Sequence, residues 1–394
     1  MFDDLDLAEL RRRPGVKWSH VAPDVIPAWI ADMDFPPPPS VRAALVRGLD
    51  DLGYPAWDDR PESNPLRAAY AERMSRRYGL AVDPGHVREF TELIQGLQAV
   101  LHVATRPGDA VAMHTPTYPP FLETLTDMDR RLVPIPMVEG EDGWGFDVGR
   151  LAEDVARYGC RALVLVNPHN PTGRVFRHDE LAAIAEVADR HDLLVIADEI
   201  HAELVHDPHR HVPFASLGPE AAARTVTLTS ATKAFNFAGV RCSVAHVGDR
   251  RVREALAAQP PLLFGQVSAP GVLATLAAWH DGDDWLAEAR ATLTRNRALV
   301  AEALPPGVRH HPPEAGYLAW LDCRGLGTGP DPAAHFLDEA RVLLSSGPAF
   351  GPGGEGFARL NFATSRPILE EILRRLRDAA GRRGDSGVRA RDGG

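Results

Sequence analysis

Six short apolar runs recur between residues 110 and 247: AVAMH (110–114), RLVPIP (131–136), ALVLV (162–166), LLVIA (193–197), TVTLT (225–229) and SVAHV (243–247). Each is strand-length and rich in β-branched or aliphatic residues. Helical patterns separate several of them; in 178–190 the Ala, Leu and Ile residues fall at i, i+3, i+4 spacing. Alternation of this kind predicts an α/β fold, with a mostly parallel central sheet joined by right-handed crossovers and sandwiched by helices.

The pattern changes after about residue 265. Helices are expected at 267–280 and 283–304, strands near 316–321 and 357–362, and a closing helix at 367–381. This reads as a smaller α+β domain. Residues 1–39 read as an extended arm, because PGVKW, PAWIADMDF and the prolines at 36–39 leave little room for helix. Helical patterns follow near 40–49, 62–78 and 95–105. The expected division is 1–48 for the arm and part of the small domain, 49–270 for a large domain, 271–381 for the small C-terminal domain, and 382–394 for a disordered Gly- and Arg-rich tail.

A net charge of −11, spread along the chain, argues against nucleic-acid and anionic-membrane partners. No apolar run approaches the roughly 20 residues of a membrane span. The start, MFDDLDLAEL, lacks a signal peptide's basic and apolar regions, so a cytoplasmic protein is expected. Cys160, Cys242 and Cys323 are too few and too scattered for a disulfide framework or a zinc motif. His209 and His211 read as surface residues, and no metal is expected.

In a parallel sheet, ligands bind beyond the carboxyl ends of the strands. Four polar clusters sit directly after strands: HTPTYPPF (114–121), VNPHNPTG (166–173), ADEIH (197–201) and SATK (230–233). Within them lies the chain's most telling residue. Of 43 Lys and Arg residues only two are lysines, Lys17 and Lys233. Lys17 falls in an arginine-rich segment expected to be exposed. Lys233 falls in SATKAFNFAGVR. Arginine cannot replace an amine that must lose its proton and attack a carbonyl, so Lys233 is a candidate Schiff-base nucleophile.

A pyridine cofactor held by such a lysine needs further groups. Asp198 suits the ring nitrogen; a helix N-cap is its plain alternative. Asn170 offers a donor to the ring oxygen, although NPHNPTG would also serve simply as a turn. Tyr118 is placed to cover a ring face. Ser230 and Arg241 supply a hydroxyl and a guanidinium for a phosphate, a surface salt bridge being the ordinary reading of Arg241 alone.

NPHNPTG, ADEIH and SATKAFNFAGVR, in that order, resemble the aspartate-aminotransferase superfamily of pyridoxal phosphate (PLP) enzymes. PAWIADMDFPPPPSV (27–41), DEIHAEL (198–204) and GFARLNFATSR (356–366) narrow the resemblance to the MalY/PatB-type cystathionine β-lyases, or C–S lyases. The resemblance implies the PLP-dependent transferase fold, with 49–270 as the cofactor-binding domain. It implies Lys233 as the lysine that carries PLP, Asp198 at the pyridine nitrogen, Asn170 at the phenolic oxygen, Tyr118 as the stacking ring, and Ser230 and Arg241 at the phosphate. Arg359, in ARLNF, matches the arginine that grips the substrate carboxylate; apart from the resemblance, Asp32 and its neighbours in the arm are read as lining the substrate mouth. Tyr54 matches a tyrosine that reaches the neighbouring subunit's phosphate, which implies a homodimer with shared sites.

The chain departs from the superfamily pattern at two positions. Glu92 stands where many members have a glycine at the phosphate loop; it is expected to turn away, leaving the backbone N–H groups of Leu93 and Ile94 to hold the phosphate. His201 stands where aminotransferases place a tyrosine, and either donates toward the cofactor or packs below it. Met33 and Trp29 read as packing, and GPGGEG (351–356) as a turn. The implied reaction is β-elimination from a cysteine thioether such as L-cystathionine; an aminotransferase of a small amino acid and a PLP-binding regulatory protein are the rivals.

Overall fold

The computed structural model describes residues 2–260 and 262–388. One sheet holds eight strands: β1 (Val87–Phe90), β2 (Ala110–Thr115), β3 (Arg131–Gly140), β4 (Gly143–Phe146), β5 (Ala162–Val166), β6 (Leu194–Asp198), β7 (Thr225–Thr229) and β8 (Ser243–Val247). Their spatial order is β1-β8-β7-β6-β5-β2-β3-β4. The run β3-β2-β5-β6-β7 is parallel throughout. The pairs β7–β8, β1–β8 and β3–β4 are antiparallel. Thus SVAHV is not another crossover strand. Residues 230–242 stay at the carboxyl end of β7, where they build the site, so the chain can only run back beside it.

The central strands are buried at nearly every position, their few polar residues included, because both faces are covered. Ala112, Leu163, Leu165 and Val195 pack with Leu151 and Ile184 of helices Val148–Tyr158 and His178–Arg190. The alternate residues Val111, Met113, Val164 and Ile196 pack with Val100 and Leu125 of helices Leu93–Ala104 and Pro119–Asp127. A third core joins helices Ala269–Asp281, Asp283–Ala303 and Arg366–Val388 to the arm and to a small antiparallel sheet. That sheet runs β9 (Leu318–Asp322), β11 (Phe357–Asn361), β10 (Ser345–Ser346), with Arg359 opposite both Trp320 and Ser345. The closing helix continues past residue 381, the limit expected for it; of the expected tail, 389–394 lie outside the described residues.

Two short helices, Leu7–Arg11 and Val16–Ser19, interrupt the expected extended arm. Lys17 is not exposed. It is 5 % accessible, and its Nζ lies 2.9 Å from Asp34 Oδ1. The arginine-rich neighbourhood misled here, since Lys17, with Trp18 beside it, turns inward to the buried carboxylate of Asp34. His211 is also buried, its Nε2 lying 3.1 Å from Glu199 Oε2.

Candidate active site

The polar clusters after β2, β5, β6 and β7 meet, as a parallel sheet requires, on one cavity of about 140 Å³. Asn170, Asp198, Ser230 and Lys233 line it from the strand ends, with Tyr118, His201, Arg241, Leu93 and Ile94. A larger cleft of about 450 Å³ lies between Trp57, Arg67, Arg88 and Gln259 but touches none of these clusters.

Asp198 ends β6 with its side chain buried, 6 % exposed. Its Oδ1 accepts from the backbone N–H of Ile200, 3.0 Å away, in a local turn that caps no helix. No cation pairs with it among the described residues. Burial therefore pushes its carboxyl up to about 7, against the Ile200 N–H and with Glu199 adding repulsion. Arg359, only 4 % exposed, is its opposite in sign. Its Nη1 donates to Asn170 Oδ1 (2.9 Å), and its Nη2 to Trp29 O (3.1 Å) and Ser345 Oγ (3.2 Å), while Nε has no partner. All three acceptors are neutral, and desolvation pulls the guanidinium down to about 10. With Asn170 Oδ1 thus engaged, its Nδ2 is left to donate into the cavity.

Lys233 reaches the cavity from the one-turn helix Ala231–Ala234, which Ser230 caps by accepting from Thr232 N at 3.1 Å. Its Nζ donates to Ala31 O at 2.7 Å and stands 4.0 Å from Asp32 Oδ1. Burial, aided by Arg359 and Arg241, lowers the amine below lysine's usual range, while Asp32 pulls the other way. Ser230 Oγ also donates to Cys242 O at 2.5 Å, tying the two ends of the 230–242 loop together. His201 is held neutral, driven to about 3 by burial and then by the charges of Lys233 and Arg359. Its Nδ1 has no partner, and its ring meets Tyr317 edge-on at 6.3 Å. It lines the cavity and packs at once.

The residues fit a phosphorylated pyridine aldehyde. An amine with lowered proton affinity, a buried carboxylate lacking a cation, and a helix start with open N–H groups border one cavity. Asp198 would hold the ring nitrogen, Asn170 the ring oxygen, and Ser230, Arg241 and the N–H groups of Leu93 and Ile94 the phosphate. The NPHNPTG turn that presents Asn170 depends on Gly173, at φ +71°; a Cβ there would fall 2.3 Å from Pro313 Cβ.

The model of the family described as aminotransferase class I and II matches residues 29–376. The chain belongs to that family. Within it, the chain is 33% identical to a cystathionine β-lyase of Corynebacterium glutamicum, covering 94% of this chain and 98% of that one. It is 32% identical to the cystathionine β-lyase PatB of Bacillus subtilis, covering 92% and 96%. Among solved structures, a PLP-bound C–S lyase from Staphylococcus hominis superposes with a TM-score of 0.87 at 26% identity, covering 96% and 98%.

Against the family pattern, Glu92 does not turn away. It stands at the start of helix Leu93–Ala104, lines the cavity and forms an ion pair with Arg241, whose backbone is left-handed at φ +58°. Tyr54 does not line the cavity of its own chain and is 96% exposed.

The largest omission from the sequence reading is the arm. Every carbonyl from Trp29 to Phe35 accepts a hydrogen bond. Arg359 and Ser345 bind the first, Asn361 the second, and Lys233 with Tyr317 the third. Lys17 and Asn361 bind Asp32 O, Asn236 binds Met33 O and Phe35 O, and Arg13 binds Asp34 O. This is how a proline-bounded, non-helical stretch can be buried without orphaning its backbone. The scarcity of lysine, which singled out Lys233, could have flagged Lys17 as well.

Proposed function

We propose that the chain is a PLP-dependent carbon–sulfur β-lyase, cleaving L-cystathionine or a related cysteine thioether to thiol, pyruvate and ammonia. The observation that carries this is a pair of buried, opposite charges without charged partners among the described residues, Asp198 lining the cavity and Arg359 bonded to Asn170 of its lining. Such charges are costly alone and call for a complementary ligand. The names of the C. glutamicum, B. subtilis and S. hominis proteins support the same chemistry.

When bound, PLP would draw electrons from the substrate α-carbon into its protonated ring. Asp198 keeps that ring protonated. Arg359 takes the substrate α-carboxylate and turns the α-hydrogen toward Lys233. The Lys233 amine, held between Ala31 O and Asp32, removes that proton, and the thiolate departs from the β-carbon. Tyr118 and His201 line the same cavity and would narrow its access to water. Supplied with L-cystathionine and no keto acid, the enzyme is expected to release thiol and pyruvate in equal amounts. Amino transfer to a keto acid without thiol would reverse the assignment in favour of an aminotransferase.

Glu92 has a measurable consequence. Phosphate must displace its carboxylate from Arg241, an exposed pair of the kind worth up to about 1 kcal/mol. Glu92→Gln is therefore expected to bind PLP about 2- to 5-fold more tightly, by fluorescence titration at low salt, with the gain shrinking as salt rises. Equal affinities at low salt would show that Glu92 and phosphate do not compete.

The enzyme is proposed to act as a homodimer, Tyr54 reaching the phosphate site of the second copy. The exposure of Tyr54 together with Leu49 and Leu52 on one segment supports this.

A further inference from the structure

Both lysines of the chain converge on one strap. Lys233 Nζ donates to Ala31 O at 2.7 Å. Lys17 Nζ donates to Asp32 O at 3.1 Å and pairs with Asp34 Oδ1 at 2.9 Å. Trp18 Nε1 adds a second bond to Asp34 Oδ1, at 2.8 Å. Two carboxylates of the strap, two residues apart, thus meet different lysines, Asp34 pairing with Lys17 and Asp32 standing 4.0 Å from Lys233. We propose that Lys17 is a positioning residue for the reaction, clamping the strap so that Ala31 O and the Asp32 carboxylate meet the Lys233 amine. This rests on the reading of Lys233 as the lysine that carries PLP.

The chemistry of the clamp explains why this position keeps a lysine in a chain that otherwise uses arginine. One nitrogen serves a carbonyl and a carboxylate from two residues of the same strap, at 5 % exposure. A compact ammonium can do so, whereas a planar fork spreads its donors and needs more room. The clamp matters electrically because of what surrounds Lys233. The charged and titratable groups acting on its amine are Asp32, Arg359, Arg241 and His201, and Asp32 is the one anion among them. A strap that drifts outward takes that anion with it, and the lysine nitrogen then binds its proton less tightly.

The test uses the PLP-loaded protein and follows the visible absorbance of the bound cofactor against pH. Lys17→Met/Asp34→Asn dissolves the clamp without changing net charge, which Lys17→Met alone would not. Asp32→Asn is expected to lower the absorbance midpoint by about one pH unit. The double variant is expected to lower it in the same direction by about half as much, with the pH profile of kcat moving in parallel. Adding Asp32→Asn to the double variant should bring no shift beyond that of Asp32→Asn alone. If the double variant loses thermal stability while its absorbance midpoint and kcat profile stay those of the wild type, Lys17 serves folding only and the inference fails. An unmoved midpoint in Asp32→Asn overturns it as well. Should the double variant not fold, Trp18→Phe loosens the same carboxylate more gently, and a wild-type midpoint there counts against the clamp. A Lys233→Ala protein with the same pH-dependent absorbance would instead take down the PLP reading, and this inference with it.

Discussion

Lys233→Ala is expected to fold normally, bind PLP reversibly and release thiol from cystathionine about 1000-fold more slowly or worse. Two functions are lost together. The amine both bonds the cofactor and moves the substrate proton, and a positioned base alone is worth about 10²- to 10⁴-fold. No other lysine can take over, since Lys17 is committed to Asp34 and Asp32 O. Folding should survive because Lys233 gives up its long pairing with half-exposed Asp32 and its bond to Ala31 O, which Tyr317 Oη also serves at 2.9 Å. Borohydride reduction followed by peptide mapping should place a pyridoxyl group on residue 233 in the wild type and none in the variant. A wild-type protein that binds PLP but is labelled elsewhere, or not at all, would sink the assignment.

Asp198→Asn should lower kcat by about 10²- to 10³-fold, the usual loss when a pre-set electrostatic partner is removed from a closed site. PLP affinity should fall too, because an amide cannot hold the ring nitrogen's proton. The same substitution has a separate signature in the cofactor-free protein. Asp198 sits at about 7 in the folded state against an ordinary 3.8, so the native protein binds that proton more tightly than the unfolded chain does. The contribution of Asp198 to stability is then greatest in acid and is lost as pH rises from about 4 to about 7, by at most roughly 4 kcal/mol. Asp198→Asn should lack this decline, and bound PLP should cancel it in the wild type by supplying a cation. Parallel melting curves for the apo forms of wild type and variant across that range would refute the burial argument.

What could be read from the sequence follows burial. Strands β2, β5, β6 and β7 announced themselves because both faces are covered, which makes them short runs of aliphatic and β-branched residues. β1 (VREF) and β4 (GWGF) did not; they lie at the two edges of the sheet, where fewer apolar positions are needed. The residues after the strands were legible for a different reason. Topology alone sends every parallel carboxyl end to one side, so Asn170, Asp198 and Lys233 had to meet. Arg359 lies on a separate small sheet, and only the family resemblance pointed to it. The contacts of Lys17 and Glu92 were hidden, since each depends on which of several charged neighbours comes within reach after folding. Glu92 meets an arginine 149 positions away.

The donors that hold the strap come from far along the chain. Its residues leave the ribosome early, yet beyond Arg13 and Lys17 the side chains that fasten it belong to Lys233, Asn236, Tyr317, Arg359 and Asn361. A nascent polypeptide that stops short of residue 359 lacks the bonds of Arg359 and Asn361 and leaves this segment only partly tethered. Competence for chemistry therefore arrives only near the end of synthesis, and incomplete translation products should accumulate as inactive species with an arm open to proteolysis.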